Sequence, residues 1–179
     1  MGSGSTPPDV RRSTANANVN GVGSTTGVAL LQAYAVPSAT DTGTLTALSI
    51  RGRVGTGGDI MIAGIIVGGS TSKTLLIQAV GPTLGVIAPS LASSVLNDTT
   101  LELYQLVNGA FVKIRTNEDW GGDAQIVTIQ SATGATGLSN SSSRDSALLV
   151  TLPPGVYTAN VSGVSNTAGV VLLQAYAVP

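Results

Sequence analysis

Residues 101–115 read Leu-Glu-Leu-Tyr-Gln-Leu-Val-Asn-Gly-Ala-Phe-Val-Lys-Ile-Arg. Alternation sets Leu101, Leu103, Gln105 and Val107 on one face and Glu102, Tyr104 and Leu106 on the other, which is the period of a strand and not of a helix. Asn108-Gly109 follows at once. Both central positions of a type I′ turn need φ > 0, and Asn-Gly supplies them, so the segment predicts a β-hairpin into 111–115.

The same grammar repeats along the chain. Runs rich in Val, Ile, Leu, Ala and Thr, each ended by Gly, Pro, Asn or Asp, predict strands over 28–36, 45–54, 60–67, 74–80, 101–107, 111–115, 146–152, 156–161 and 170–178. The 60–67 run is apolar on both faces and is expected to be a central strand covered on each side. Pro153-Pro154-Gly155 reads as a rigid turn, Gly52–Gly58 as a hairpin loop, and residues 81–99 as a long connection with a helical turn. A short helix is expected near 123–131. Many short strands and little helix predict an all-β fold, an antiparallel β-sandwich of jelly-roll type, with an extra N-terminal strand segment.

Composition narrows the function. Charged residues make up 9% of the 179, and the net charge is −1, so no broad basic surface exists for nucleic acid or an anionic bilayer. One Trp, one Phe and four Tyr give no ladder of stacking platforms. No apolar run approaches about 18 residues, so no membrane insertion is expected. His and Cys are both absent, which removes imidazole bases, thiol nucleophiles, disulfides and the usual zinc ligands. Ser141–Ser143 therefore has no suited base. Gly55-Thr-Gly57 is not followed by the helix that a phosphate loop requires. Adjacent Glu118 and Asp119 point to opposite faces if extended. The chain reads as no enzyme.

Residues 17–37 (ANVNGVGSTTGVALLQAYAVP) nearly repeat residues 159–179 (ANVSGVSNTAGVVLLQAYAVP), differing at five of 21 positions. Only closing strands are duplicated, so the offset points to one whole domain over 38–179. Residues 17–37 are then the tail of a preceding repeat or a donor strand, and 1–16 a leader and linker. Met1-Gly-Ser-Gly-Ser5 has the make-up of an expression leader and none of a signal peptide. Val28, Leu30, Leu31, Gln32, Tyr34 and Val36 form the expected assembly strand. They are equivalent to Val170, Leu172, Leu173, Gln174, Tyr176 and Val178. A free strand with the sequence of a terminal strand can take its place in another copy; repeated head to tail, that contact builds a fibre.

The C-terminal half resembles the bacterial pre-peptidase C-terminal type of β-sandwich, and repeat domains of large secreted bacterial surface proteins. Residues carrying the first resemblance are Leu101-Glu-Leu-Tyr104, Asn108-Gly109, the loop Asn117-Glu-Asp-Trp-Gly-Gly-Asp123, the stretch from Asp145 through Pro153-Pro154-Gly155-Val156-Tyr157, and Val161-Ser-Gly163. Arg51–Gly57, Ile62-Ala-Gly64 and Gln78–Pro82 carry the second. The resemblance implies an extracellular or cell-surface module without catalysis. Some such sandwiches bind calcium or polysaccharide, so the resemblance adds a surface polysaccharide to the partner that the duplicated strand implies, copies of the chain itself.

Two ligand readings stand beside structural ones. Asn117, Glu118, Asp119 and Asp123, with Asp145, supply the oxygen types that calcium takes; the same residues also suit turns and the cap of a helix after Trp120. Trp120 offers a face for a sugar ring, or a seal at the edge of the core. The alternative function is accordingly a calcium- or polysaccharide-binding accessory module of a secreted enzyme or surface protein.

Overall fold

The computed structural model describes residues 17–19, 22–23, 46–138 and 140–179. The chain separates into two compact units, 1–43 and 44–179. Most of the duplicated stretch, including the expected assembly strand, lies outside the described residues.

The second unit is an antiparallel β-sandwich. Its strands are β1 (Ala47–Val54), β2 (Met61–Val67), β3 (Lys73–Val80), β4 (Thr99–Val107), β5 (Ala110–Asn117), β6 (Ser146–Leu152), β7 (Gly155–Gly163) and β8 (Gly169–Ala177). They form two four-stranded sheets, in the orders β1-β8-β3-β6 and β2-β7-β4-β5. This alternation of consecutive strands between sheets is the jelly-roll pairing. The β4–β5 hairpin turns on Asn108 (φ 51°) and Gly109 (φ 83°), the left-handed pair that its sequence demands.

Between the sheets lies an aliphatic core. Leu75, Ile77, Ala79, Val150, Leu152, Val171 and Leu173 face Ala63, Val67, Leu101, Leu103, Tyr157, Ala159 and Val161. A second cluster covers the back of the first sheet, where Leu76, Val80 and Ala147 meet Leu84, Val95, Trp120, Ile126 and Leu138. Two helices supply part of this layer: α1 (Pro82–Ile87), with proline in its first turn, and α2 (Ala124–Thr133). The Asp123 carboxylate accepts the Gln125 N–H to open α2, and Gly134 (φ 73°) closes it in the left-handed region.

Two expectations are corrected. Strand β2 is not central; among the described residues it pairs only with β7 and forms a sheet edge. The strand buried on both faces is β3, because it has β8 and β6 as neighbours, the core on one side and the helical layer on the other. Gly52–Gly58 is also no hairpin loop. Gly52–Val54 close β1, and the chain from Gly55 onward crosses to β2 in the other sheet, tightened by the Gly55 N–H donating to the Asp59 carbonyl (2.7 Å). The Pro153–Gly155 turn likewise crosses between sheets, and the Tyr157 hydroxyl donates to the Pro153 carbonyl (2.8 Å) at that corner.

Candidate functional site

The strand whose sequence residues 28–36 repeat is β8. Strand β8 lies between β1 and β3, pairing Ala47–Val54 with Tyr176–Gly169 and Leu75–Val80 with Ala177–Leu172. One face sends Val171 and Leu173 into the core; the other packs Val170, Leu172 and Tyr176 on the helical layer. The Val170 N–H donates to the Ser94 carbonyl (2.7 Å) and its carbonyl accepts the Leu96 N–H (2.9 Å). At Gly169 a Cβ would strike the Leu96 backbone, so glycine is required by close approach. Buried Gln174 donates to the Tyr176 hydroxyl (2.9 Å), whose pKa burial raises.

Within 159–179 the buried residues are Ala159, Val161, Gly169, Val171, Leu173 and Gln174. The copy keeps all of them but one, as Ala17, Val19, Gly27, Leu31 and Gln32, and has Ala29 where Val171 stands. The remaining differences fall at exposed Ser165, Asn166 and Ala168 and at half-buried Ser162. Ser165 has φ 56°, and its counterpart Gly23 has φ 66°, so both positions are left-handed, and the copy has there the residue that adopts this conformation most easily.

The acidic loop is organised around internal partners. Asp145 is fully buried and accepts from the Gly81 N–H (2.7 Å), the Thr83 N–H (3.2 Å), the Thr83 hydroxyl and the Ser143 hydroxyl (2.7 Å). Its carboxylate ties the start of α1 to the start of β6. Asn117 Oδ1 accepts the Ala147 N–H (2.9 Å), and its amide donates to the Asp119 carbonyl (2.9 Å). Asp123 caps α2; Glu118 and Asp119 are exposed. Among the described residues no group of three or more His, Cys, Asp or Glu side chains gathers where a metal ion would sit.

Trp120 is 5% exposed, in the cluster with Val80, Leu84 and Ile126, and its indole N–H donates to the Asn140 carbonyl (3.0 Å) and the Ser143 hydroxyl (3.1 Å). The ring therefore seals the helical layer. Trp120→Ala is expected to cost about 3–5 kcal/mol, as for other large core truncations. Chemical denaturation followed by circular dichroism measures it. The intrinsic fluorescence of the native chain is expected to stay unchanged on addition of glycans.

On the outer face of the second sheet Glu102 accepts from the Lys113 ammonium (2.7 Å) and the Tyr104 hydroxyl (2.8 Å). The hydrogen bond from Lys113 holds the Glu102 carboxyl below its usual range, against the upward push of burial. The folded value is thus below the unfolded one. The stability it adds is present above about pH 4.3, the ordinary glutamate value, and is lost as pH falls through the folded value. Lys113→Ala is expected to move the Glu102 titration upward, as followed by carboxyl NMR.

No known family matches the sequence, and no curated protein does. Among solved structures, the chain is similar to the pre-peptidase C-terminal domain of a collagenase from Bacillus anthracis, at 14% identity and TM-score 0.41, over 73% of this chain and 89% of that one. It is also similar to a protein from Sulfurospirillum deleyianum, at 10% identity and TM-score 0.33, over 75% of this chain and 98% of that one.

Proposed function

We propose that the chain is a non-catalytic structural module of an extracellular or cell-surface protein, present in repeated copies. Copies join head to tail when residues 17–37 of one enter the β8 slot of the next. The observation that carries this reading is the pattern of differences between the two segments: of the positions buried in 159–179 only Val171 differs, and the other changes fall at exposed Ser165, Asn166 and Ala168 and at half-buried Ser162.

That one difference sets how the joint works. Ala29 in place of the fully buried Val171 removes two methyl groups from the core, a loss of about 2 kcal/mol. A domain's own β8 therefore outcompetes the copy, and joining is an exchange that follows release of β8. The contact is heterologous, so repetition extends it copy by copy into a row where the rotation between copies does not close a ring.

Light scattering after size exclusion tests this. The full chain is expected to show masses beyond a dimer that grow with concentration, and a chain beginning at residue 38 none. Equal masses for the two would count against the joint.

A further inference from the structure

Sheet edges offer unpaired main-chain donors and acceptors, and folded proteins usually blunt them with charge, bulges or cover. Three of the four edges among the described residues are blunted. Strand β1 carries exposed Arg51 and Arg53. Strand β5 carries Lys113 and Arg115 and a register shift opposite Leu103/Tyr104. Strand β6 is largely buried, and near its start the Ala147 N–H is taken by Asn117 and the Ser146 hydroxyl donates to the Glu118 carbonyl.

Strand β2 has none of these devices. Met61-Ile-Ala-Gly-Ile-Ile-Val67 contains no charge and no proline. Its inward residues Ala63 and Val67 are buried, while outward Ile62 and Ile66 are 57% and 71% exposed. The apolar outer surface continues onto β7, where Val156 stands opposite Ile66. A smooth apolar edge of this kind calls for a strand beside it.

The sequence of β2 selects which one. Laid antiparallel against itself about Gly64, it pairs Ile62 with Ile66, Ala63 with Ile65, and Met61 with Val67. On the outer face the two Ile62–Ile66 pairs flank a Gly64–Gly64 centre. Facing inward, small Ala63 meets large Ile65 on each side of the axis. A shift of one residue would still join the main chains but would put inward side chains beside outward ones. We propose that β2 is a self-association edge, pairing antiparallel with β2 of a second copy about a two-fold axis at Gly64, so that two four-stranded sheets become one of eight.

Such a contact is isologous and closes at the dimer, unlike the joint through residues 17–37, and it rests on none of those residues. Where both operate, β2 pairing would tie neighbouring rows of head-to-tail copies side by side.

The absence of cysteine makes the test clean. A Cβ at Gly64 or at Gly68 meets nothing within 4 Å, and neither needs a positive φ. Across the proposed axis two Gly64 positions face each other at about 4.5–5.5 Å between Cα atoms, within disulfide reach. Two Gly68 positions would be eight residues apart along the strands, roughly 26 Å. Under mild oxidation of the full chain, Gly64→Cys is expected to form covalent dimer at least about tenfold faster than Gly68→Cys, the effect of about 1.4 kcal/mol of pairing. Adding Ile66→Lys to Gly64→Cys is expected to bring the rate down to that of Gly68→Cys, with an unchanged circular dichroism spectrum. Equal rates for the two single variants, or a Gly64→Cys rate untouched by Ile66→Lys, would overturn the proposal.

Discussion

Asp145→Ala is expected to lower the unfolding free energy by about 3–5 kcal/mol, among the largest single-residue effects in the domain. The carboxylate is fully buried and accepts from Gly81, Thr83 and Ser143, so its loss leaves two backbone N–H groups and two hydroxyls without their acceptor. Each such group, buried and unmet, costs about 1–3 kcal/mol. For a domain of this size the melting temperature should fall by roughly 10–15 °C. Asp145→Asn keeps one acceptor oxygen and is expected to lose less. The native melting temperature is expected to be the same with calcium or with a chelator, because protein donors already meet the carboxylate. A large calcium-dependent shift abolished by Asp145→Ala would contradict this assignment.

Removal of residues 168–179 has a larger expected effect. Among the described residues strand β8 is the one partner of β1 and one of two partners of β3, and it places Val171 and Leu173 in the core. Taking it away exposes both hydrophobic clusters along their length. Net stabilities of single domains are about 5–15 kcal/mol, and this loss exceeds that margin. A chain of residues 38–167 should show no cooperative thermal transition by circular dichroism.

Local pattern made most of the sandwich legible in the sequence. Every strand of the two sheets falls on a β-rich run bounded by turn residues, and Asn108-Gly109 forms the hairpin that its φ requirements imply. Pattern could not say how strands are arranged. A run apolar on both faces looks the same whether it is buried twice, as β3 is, or is an edge with isoleucines in solvent, as β2 is. Both connections read from Gly and Pro are turns, yet they pass between sheets, because a turn's residues do not specify which neighbour a strand will find.

The acidic loop was legible only in its chemistry. Asn117, Asp119, Asp123 and Asp145 are oxygen donors by type, and nothing local shows that the N–H groups of Gly81 and Thr83, more than 60 positions away, converge on Asp145. Trp120 meets its partners Asn140 and Ser143 in the same way, through the fold. The duplication differs. Its presence was plain in the sequence, while its meaning depends on which positions β8 buries, and burial is known only from the sheet.

That dependence gives the most direct test of the joint. The chain of residues 38–167 is mixed with a synthetic peptide of residues 24–37, with the same peptide carrying Ala29→Val, and with a peptide of residues 168–179. All three are expected to restore a cooperative transition. The Ala29→Val peptide is expected to bind about 30-fold more tightly than the native copy, the equivalent of about 2 kcal/mol for the two restored methyl groups. Rescue by residues 168–179 alone, with neither form of 24–37 binding, would contradict the account.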